Sequence, residues 1–423
     1  MFYTPRQFET AKKARELLHA LGSPSVEDLK KAIRIGFKNS PVIIEDVILA
    51  EEIFGPDVGS LKGKTARSKV PPPVLNYIEI PSELTRAQEN VTLCIDGMWV
   101  NGLQFLTTVS SNIKYRTVTN LPNKKMETYK QQLKEIAKLY NKGGFFISMI
   151  KADNEFKPLI GPLEDELDTT MDFANPQDHV SQAERNNRVI KERIRATFHR
   201  LPFEKLPKLM VITLVMESAK TLNFFAPKGG ISKHYSPRVI LHHEEIDYTK
   251  HCASTFGEYV QAVQDEIPKN NNKPQTLDCI YLRPNSISQM GGHGLLHIQT
   301  GRLVTRSKLT KIPLTQAVID AVHTLADQDG AAKGLKVVSR KKTILWDSAW
   351  TAGVDYDTET FEPLTEEADD DDDDDIPQLV TDDESSVESD DESYDDDFTE
   401  EQYDDLPPVR TPMMMMMKSL NWK

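Results

Sequence analysis

Cysteine is scarce in this chain: Cys94, Cys252 and Cys279 are the only three in 423 residues. So few thiols exclude a disulfide framework and point to a reducing compartment. Long apolar runs are missing as well. None approaches the roughly 20 residues that a membrane span needs, and Met1–Arg6 has no apolar segment of the kind a secretory signal carries. A soluble, intracellular protein with no membrane partner is expected. Histidine is absent between His19 and His179, and no cysteine precedes Cys94, so a tetrahedral N/S zinc site cannot form near the N-terminus. Lys and Arg are absent from residues 366–405, which carry 23 acidic side chains; the whole chain is at −14, so the remainder is at +9. A basic body beside an acidic tail suits a polyanionic partner.

Apolar periodicity divides the chain into five regions. Residues 4–65 read as a small helical unit: Phe8, Ala11, Ala14, Leu17 and Leu18 recur at helical spacing, Gly22 suits a stop, and Ser25 suits the N-cap of a second helix. A third helix is predicted from Ile43 to Phe54. Residues 66–90, with a start as early as 56, read as a basic, proline-ended linker in which Lys62, Lys64, Arg67 and Lys69 could meet phosphates. Residues 91–225 read as an α/β core, with strands at 91–98, 103–110 and 114–120, a helix around Leu133 and Ile136, and a strand ending at Asp153. The first three strands have short connections, so antiparallel pairing is predicted. The apolar helix at 209–225 is expected in the core or at a subunit contact. Residues 226–345 read as a small antiparallel β-barrel-like domain, followed by an amphipathic helix over Ile312–Ala326. Residues 346–423 read as a disordered acidic tail, with Ser385, Ser386, Ser389 and Ser393 open to phosphorylation. His242, His243, His251 and Cys252 cluster in sequence but match no zinc spacing, so no zinc is expected.

Three acids in the core carry the candidate chemistry. Asp96 interrupts the apolar run Val91–Asp96, Asp153 ends Phe145–Asp153, and Glu184 lies on a helix-like segment. A carboxylate in a mostly buried strand is costly to keep charged without a partner, and several such groups repel one another. A hard divalent cation relieves both costs, and a pair of such ions can serve phosphodiester exchange. An acid at a strand end is more often a turn-former or helix cap than a ligand, and the pattern alone leaves both readings open. Arg188 and Lys191 follow Glu184 by four and seven positions and therefore share its face, where they suit DNA phosphate. Arg185 lies on another face and is also assigned to DNA. Arg193 and Arg195 read as solvated charges.

The blocks Leu93-Cys94-Ile95-Asp96-Gly97, Lys151-Ala152-Asp153-Asn154-Glu155-Phe156 and Ala183-Glu184-Arg185-Asn186-Asn187-Arg188 together resemble the catalytic core of copia-type LTR-retrotransposon integrases. The third block is the most specific, and Asn154 matches the family's Asp-Asn pair. One departure is a shorter interval between Asp153 and Glu184, with the preceding loop reduced to Ala174–His179. Leu18–Ser25 resembles the family's pre-integrase zinc segment without its ligands. The resemblance implies an RNase H-like mixed sheet. It also implies Asp96, Asp153 and Glu184 as ligands of two Mg²⁺ ions (Mn²⁺ could substitute), and joining of element DNA ends to target DNA by a nuclear homo-oligomer. Cytoplasmic assembly is compatible with it. Without a polymerase motif, the chain is expected to be a polyprotein piece or a decayed copy. Two other functions fit the same residues: a catalytically inactive nucleic-acid-binding remnant, and an RNase H-type nuclease.

Overall fold

The computed structural model describes residues 3–37, 39–65, 77–159, 164–173, 181–264, 273–285, 292–338 and 344–348. The acidic stretch, the phosphorylatable serines, Arg67, Lys69 and the 174–179 loop lie outside the described residues. The chain begins with α1 (Pro5–Ala20), α2 (Val26–Ile35) and α3 (Ile44–Phe54). Thr4 and Gln7 cap α1 reciprocally, and the Ser25 hydroxyl accepts from Asp28 N at 3.1 Å, as its position predicts. Ala11, Ala14, Leu18, Leu29, Val47 and Ala50 close a separate small core. His19 is half exposed, and its Nε2 lies 2.9 Å from Asp57 Oδ1.

Part of the expected linker is structured. Val58–Lys64 forms α4, and Val58 and Leu61 pack on the main core. Lys62 is not a solvated charge: its Nζ donates to Asp278 Oδ2 at 2.7 Å. Asp278 also accepts from the Tyr259 hydroxyl and from Gln261. Burial raises the Asp278 carboxyl, but the hydrogen bonds from Lys62, Tyr259 and Gln261 outweigh it and hold it below the ordinary value. Lys64 donates to Ser23 O. A five-residue helix, α5 (Ser82–Arg86), then leads into the main sheet.

The main sheet begins with β1 (Asn90–Val100), β2 (Leu103–Ser110) and β3 (Arg116–Leu121), paired antiparallel as predicted. Asn101 and Gly102 form a two-residue connection with φ of 48° and 75°, the conformation that lets a hairpin keep its twist. Helix α6 (Met126–Lys142) crosses to β4 (Phe146–Ala152), which pairs parallel with β1. A 3-10 turn (Asn154–Leu159), α7 (Glu164–Leu167) and β5 (Thr170–Phe173), parallel to β4, follow. Helices α8 (Ser181–His199) and α9 (Lys208–Leu222) complete this part. Alternation sorts the faces of β1. Val91, Leu93 and Ile95 pack with Leu133, Ile136 and Tyr140 of α6. Met98 and Val100 pack with Ile190 and Ile194 of α8 and Leu214 of α9. The sheet is thus covered on both faces, and the apolar residues of α9 are spent on this core.

After α10 (Pro237–His242) and α11 (Tyr248–His251), β6 (Tyr259–Val263), β7 (Thr276–Pro284), β8 (His293–His297), β9 (Leu303–Arg306) and β10 (Leu309–Lys311) form an antiparallel sheet. Its order is β10-β6-β7-β8-β9. The expected barrel is not closed: among the described residues no ladder joins β9 to β10. The sheet is nevertheless curled. Only Ser307 and Lys308 separate β9 from β10, a span of about 10 Å at most, whereas the edges of a flat five-stranded sheet stand about 19 Å apart. Helix α12 (Gln316–Gln328) starts later than the periodicity suggests. Pro313 disfavours helix before it, and Ile312 N still donates to Tyr259 O at 3.1 Å. The chain then returns to the first sheet. β11 (Lys336–Val338) pairs antiparallel with Trp99 and Val100 of β1, and β12 (Ile344–Asp347) pairs with β11.

Of the four residues that cluster in sequence at 242–252, the three histidines make contacts of their own. His242 Nε2 lies 2.9 Å from the Tyr115 hydroxyl, His243 Nε2 3.4 Å from Gly143 O, and His251 Nε2 3.2 Å from Arg238 Nη2. Cys252 is exposed. Burial, with the nearby Arg238 charge, pushes His242 down to about 4. A histidine depressed in this way is neutral in the fold but protonated in the unfolded chain below its ordinary value. Stability contributed by His242 is therefore complete above about pH 6.5 and falls as the pH drops toward 4. His242→Gln should flatten this acid loss; urea midpoints across that range would show it, and an unchanged slope would assign the loss elsewhere. Gly257 has φ of 90°, and an added Cβ would stand 2.4 Å from Leu201 Cδ2. Gly257→Ala should cost roughly 1–3 kcal/mol, read as a lowered urea midpoint.

Candidate nucleic-acid-processing site

Asp96 lies where β1 changes partners. Its N-terminal part pairs with β4 as far as Cys94, opposite Lys151, and its C-terminal part pairs with β11 from Trp99. Continuing the parallel register places Asp153, just beyond β4, beside Asp96. By alternation both belong to the sheet face covered by α8. Carboxyl ends of parallel strands, where neighbours diverge, are where α/β sheets open crevices.

Both Asp96 oxygens are engaged. Oδ1 accepts from Gly97 N at 2.6 Å, and Oδ2 accepts from Asn187 Nδ2 at 2.6 Å. The other end of the Asn187 amide accepts from the Thr107 hydroxyl at 2.7 Å, and that hydroxyl also lies 3.1 Å from Asp96 O. Asn187 is buried and three residues beyond Glu184, so its bond fixes the α8 face that carries Glu184 over β1. Farther along, Cys94 and Ser111 meet Gln182 Oε1 at 3.3 and 2.8 Å. Helix α8 is therefore pinned to the sheet by polar contacts at Gln182 and Asn187, on either side of Glu184.

Asp153 is half-buried and acts as a turn-former: its Oδ1 accepts from Asn154 N at 2.7 Å, and its carbonyl accepts from Phe156 N at 3.0 Å. Asn154 is likewise half-buried, while Glu184, Arg185 and Arg188 are exposed. Lys191 is half-buried; burial lowers its pKa, while the negative charges of Asp96 and Glu184 pull the other way. This coupling places Lys191 within the electrostatic reach of two of the three acids. Arg185 faces a different neighbourhood, where burial, with the Arg116 and Arg185 charges, lowers Lys114.

The donor set of two Asp and one Glu suits a hard cation. Among the described residues, however, no three His, Cys, Asp or Glu side chains gather closely enough to hold a metal ion. The structure brings Asp96 and Asp153 to adjacent strand ends and ties the Glu184 helix to Asp96, without drawing the three carboxylates into one shell. Two residues of this arrangement, Asn187 and Thr107, escaped the sequence reading. The spacing from Glu184 could have signalled Asn187; nothing local marks Thr107. No helix among the described residues is long and apolar enough to cross a membrane.

Because Lys191 is depressed, the unfolded chain holds its proton more tightly than the folded one. Stability should rise with pH as this lysine discharges below its ordinary range. Lys191→Met is expected to be more stable than the parent at neutral pH, with the gain shrinking toward alkaline pH. Thermal melts at several pH values test this, and an equal or lower neutral-pH melting temperature would contradict it.

No protein-family model matches the chain, and no curated protein matches it. Among solved structures, one similar to it is the crystal structure of the catalytic core domain of BIV integrase. That likeness has 17% sequence identity and a TM-score of 0.28, covering 36% of this chain and 93% of the other, and it is too distant to bear on residue roles.

Proposed function

We propose that this chain is an integrase-type polynucleotidyl transferase with an RNase H-like core, acting on DNA ends in the nucleus. The observation that carries the reading is the placement of Asp96 and Asp153 at adjacent parallel strand ends beneath α8, with Asn187 bonding that helix to Asp96 at 2.6 Å. Asp96, Asp153 and Glu184 would hold Mg²⁺, which supplies activation of the attacking hydroxyl and neutralisation of charge at phosphorus. Asn187, fixed by Thr107, orients the Asp96 carboxylate. Lys191 and Arg188 bind backbone phosphate beside it, a contact that positions DNA without reading sequence. Arg185 and Asn154 add polar contacts at the helix start and strand end. Joining two DNA ends calls for more than one copy of the chain, so a homo-oligomer is part of the proposal.

A second reading has its own support. Both Asp96 oxygens already accept hydrogen bonds, and the acids do not form a shell; this favours a nucleic-acid-binding protein without catalysis. One experiment separates the two: the full chain is incubated with short duplex ends, target DNA and Mg²⁺, and joined products are resolved on a gel. The transferase should form products that EDTA removes and that Asp96→Asn reduces to background. Asp96→Asn products equal to those of the parent would refute the assignment. DNA binding that survives EDTA, with no joining by the parent, would select the binding protein. Cleavage of an RNA–DNA hybrid in preference to duplex DNA would select a nuclease.

A further inference from the structure

A cavity of about 720 Å³ lies at the far end of β1, lined by the β1–β2 turn, the start of α9, the turn after α12, and β11. That volume is in the range of small-molecule sites, which combine an apolar wall with a few polar groups. Here Leu206 and Val211, almost completely buried, form the floor, and Trp99 forms a wall. Two lysines stand at the rim. Lys124 Nζ lies over the Trp99 ring, 5.4 Å from its centroid. Lys208 opens α9, and its backbone N–H donates to Asp329 Oδ2 at 2.8 Å. The Asp329 carboxylate is thus already engaged in capping that helix. A third lysine, Lys336, is paired with Asp347 at 2.8 Å. Among the described residues neither Lys124 nor Lys208 has a carboxylate within salt-bridge distance of its ammonium. The cavity therefore offers an aromatic face, an apolar floor and, beside the Asp329 carboxylate, two lysine ammoniums that form no salt bridge among the described residues.

We propose that this cavity binds a planar aromatic anion of the nucleotide class, its base against Trp99 and its phosphate between Lys124 and Lys208. Lys124 is exposed and Trp99 half-buried; a cation–π contact made by an exposed ammonium is weakly held, so Lys124 can leave the ring face for a phosphate while a base takes its place. Base stacking on an aromatic side chain is tolerant of base identity, so the site selects planarity and charge. Trp99 is three residues beyond Asp96, about 10 Å along the strand, and the proposal needs neither metal nor the three acids. The nucleotide can be free, or it can be the unpaired terminal nucleotide of a DNA strand.

The test is calorimetric titration of the full chain with adenosine 5′-monophosphate, with adenosine and inorganic phosphate as separate probes. Saturable one-site binding of the nucleotide is expected, at least tenfold tighter than either part alone. Ala332→Trp fills the cavity from an exposed lining position and should abolish binding while leaving the circular dichroism spectrum unchanged. Lys124→Gln combined with Lys208→Gln should weaken binding at least tenfold. The proposal is overturned if the parent shows no saturable binding at millimolar nucleotide, or if Ala332→Trp binds as tightly as the parent. Duplexes with two unpaired 3′ nucleotides distinguish the sources. A gain in affinity over blunt duplex that Ala332→Trp removes assigns the site to a strand end; nucleotide binding without that gain assigns it to the free molecule.

Discussion

The arrangement of the candidate site depends on one side chain. Asn187 reaches from α8 to the Asp96 carboxylate and is itself held by the Thr107 hydroxyl. Helix α8 is joined through one buried amide to two neighbouring strands, β1 and β2, that lie 91 and 80 residues earlier at the points of contact. A hydrogen bond to a charged group contributes roughly 1.5–3 kcal/mol, and a buried polar atom left without its partner costs a comparable amount. The same bond decides where Glu184 and Lys191 stand, because a helix is rigid over two turns. The site is thus positioned by a neutral amide, and its charges are arranged around that anchor.

Much of this was legible in the sequence wherever one face of an element is buried. The apolar run from Val91 to Asp96 marks β1, and the stripe of Leu133, Ile136 and Tyr140 marks α6; Val91, Leu93 and Ile95 share one core with that stripe. The reading broke down where distant contacts decide the outcome. Val58–Lys64 contains Gly59 and Gly63, which lower helix propensity; it is helical because Val58 and Leu61 reach the core and Lys62 reaches Asp278, 216 residues away. β11 was equally hidden, since its pairing partner on β1 lies more than two hundred residues earlier. At the site, the three acids are legible through resemblance, whereas Asn187 lies within Ala183–Arg188 with no role that the sequence assigns. Thr107 is one of many strand threonines, and only the fold gives it meaning.

Charge at the site is held at a cost. Lys191 is half-buried with its pKa depressed, near Asp96 and Glu184, a setting in which a stability optimum would favour an apolar side chain. Groups with perturbed pKa values cluster at functional sites, in keeping with the phosphate contact proposed for Lys191. By contrast, the Lys62, Asp278, Tyr259 and Gln261 network has partners throughout. It reads as a structural clasp between α4 and the curled sheet, and nothing in it waits for a partner.

The pairing of β11 with Trp99 and Val100 ties synthesis to architecture. A nascent chain that has emerged only as far as α9 possesses β1, β2 and β3 but leaves one margin of β1 bare, and an uncovered strand edge invites pairing with other molecules. That margin is covered only once residue 338 has left the ribosome, after the whole curled sheet and α12 have been made. The central sheet is therefore finished only after the curled sheet and α12 have been made, although most of it is encoded before them.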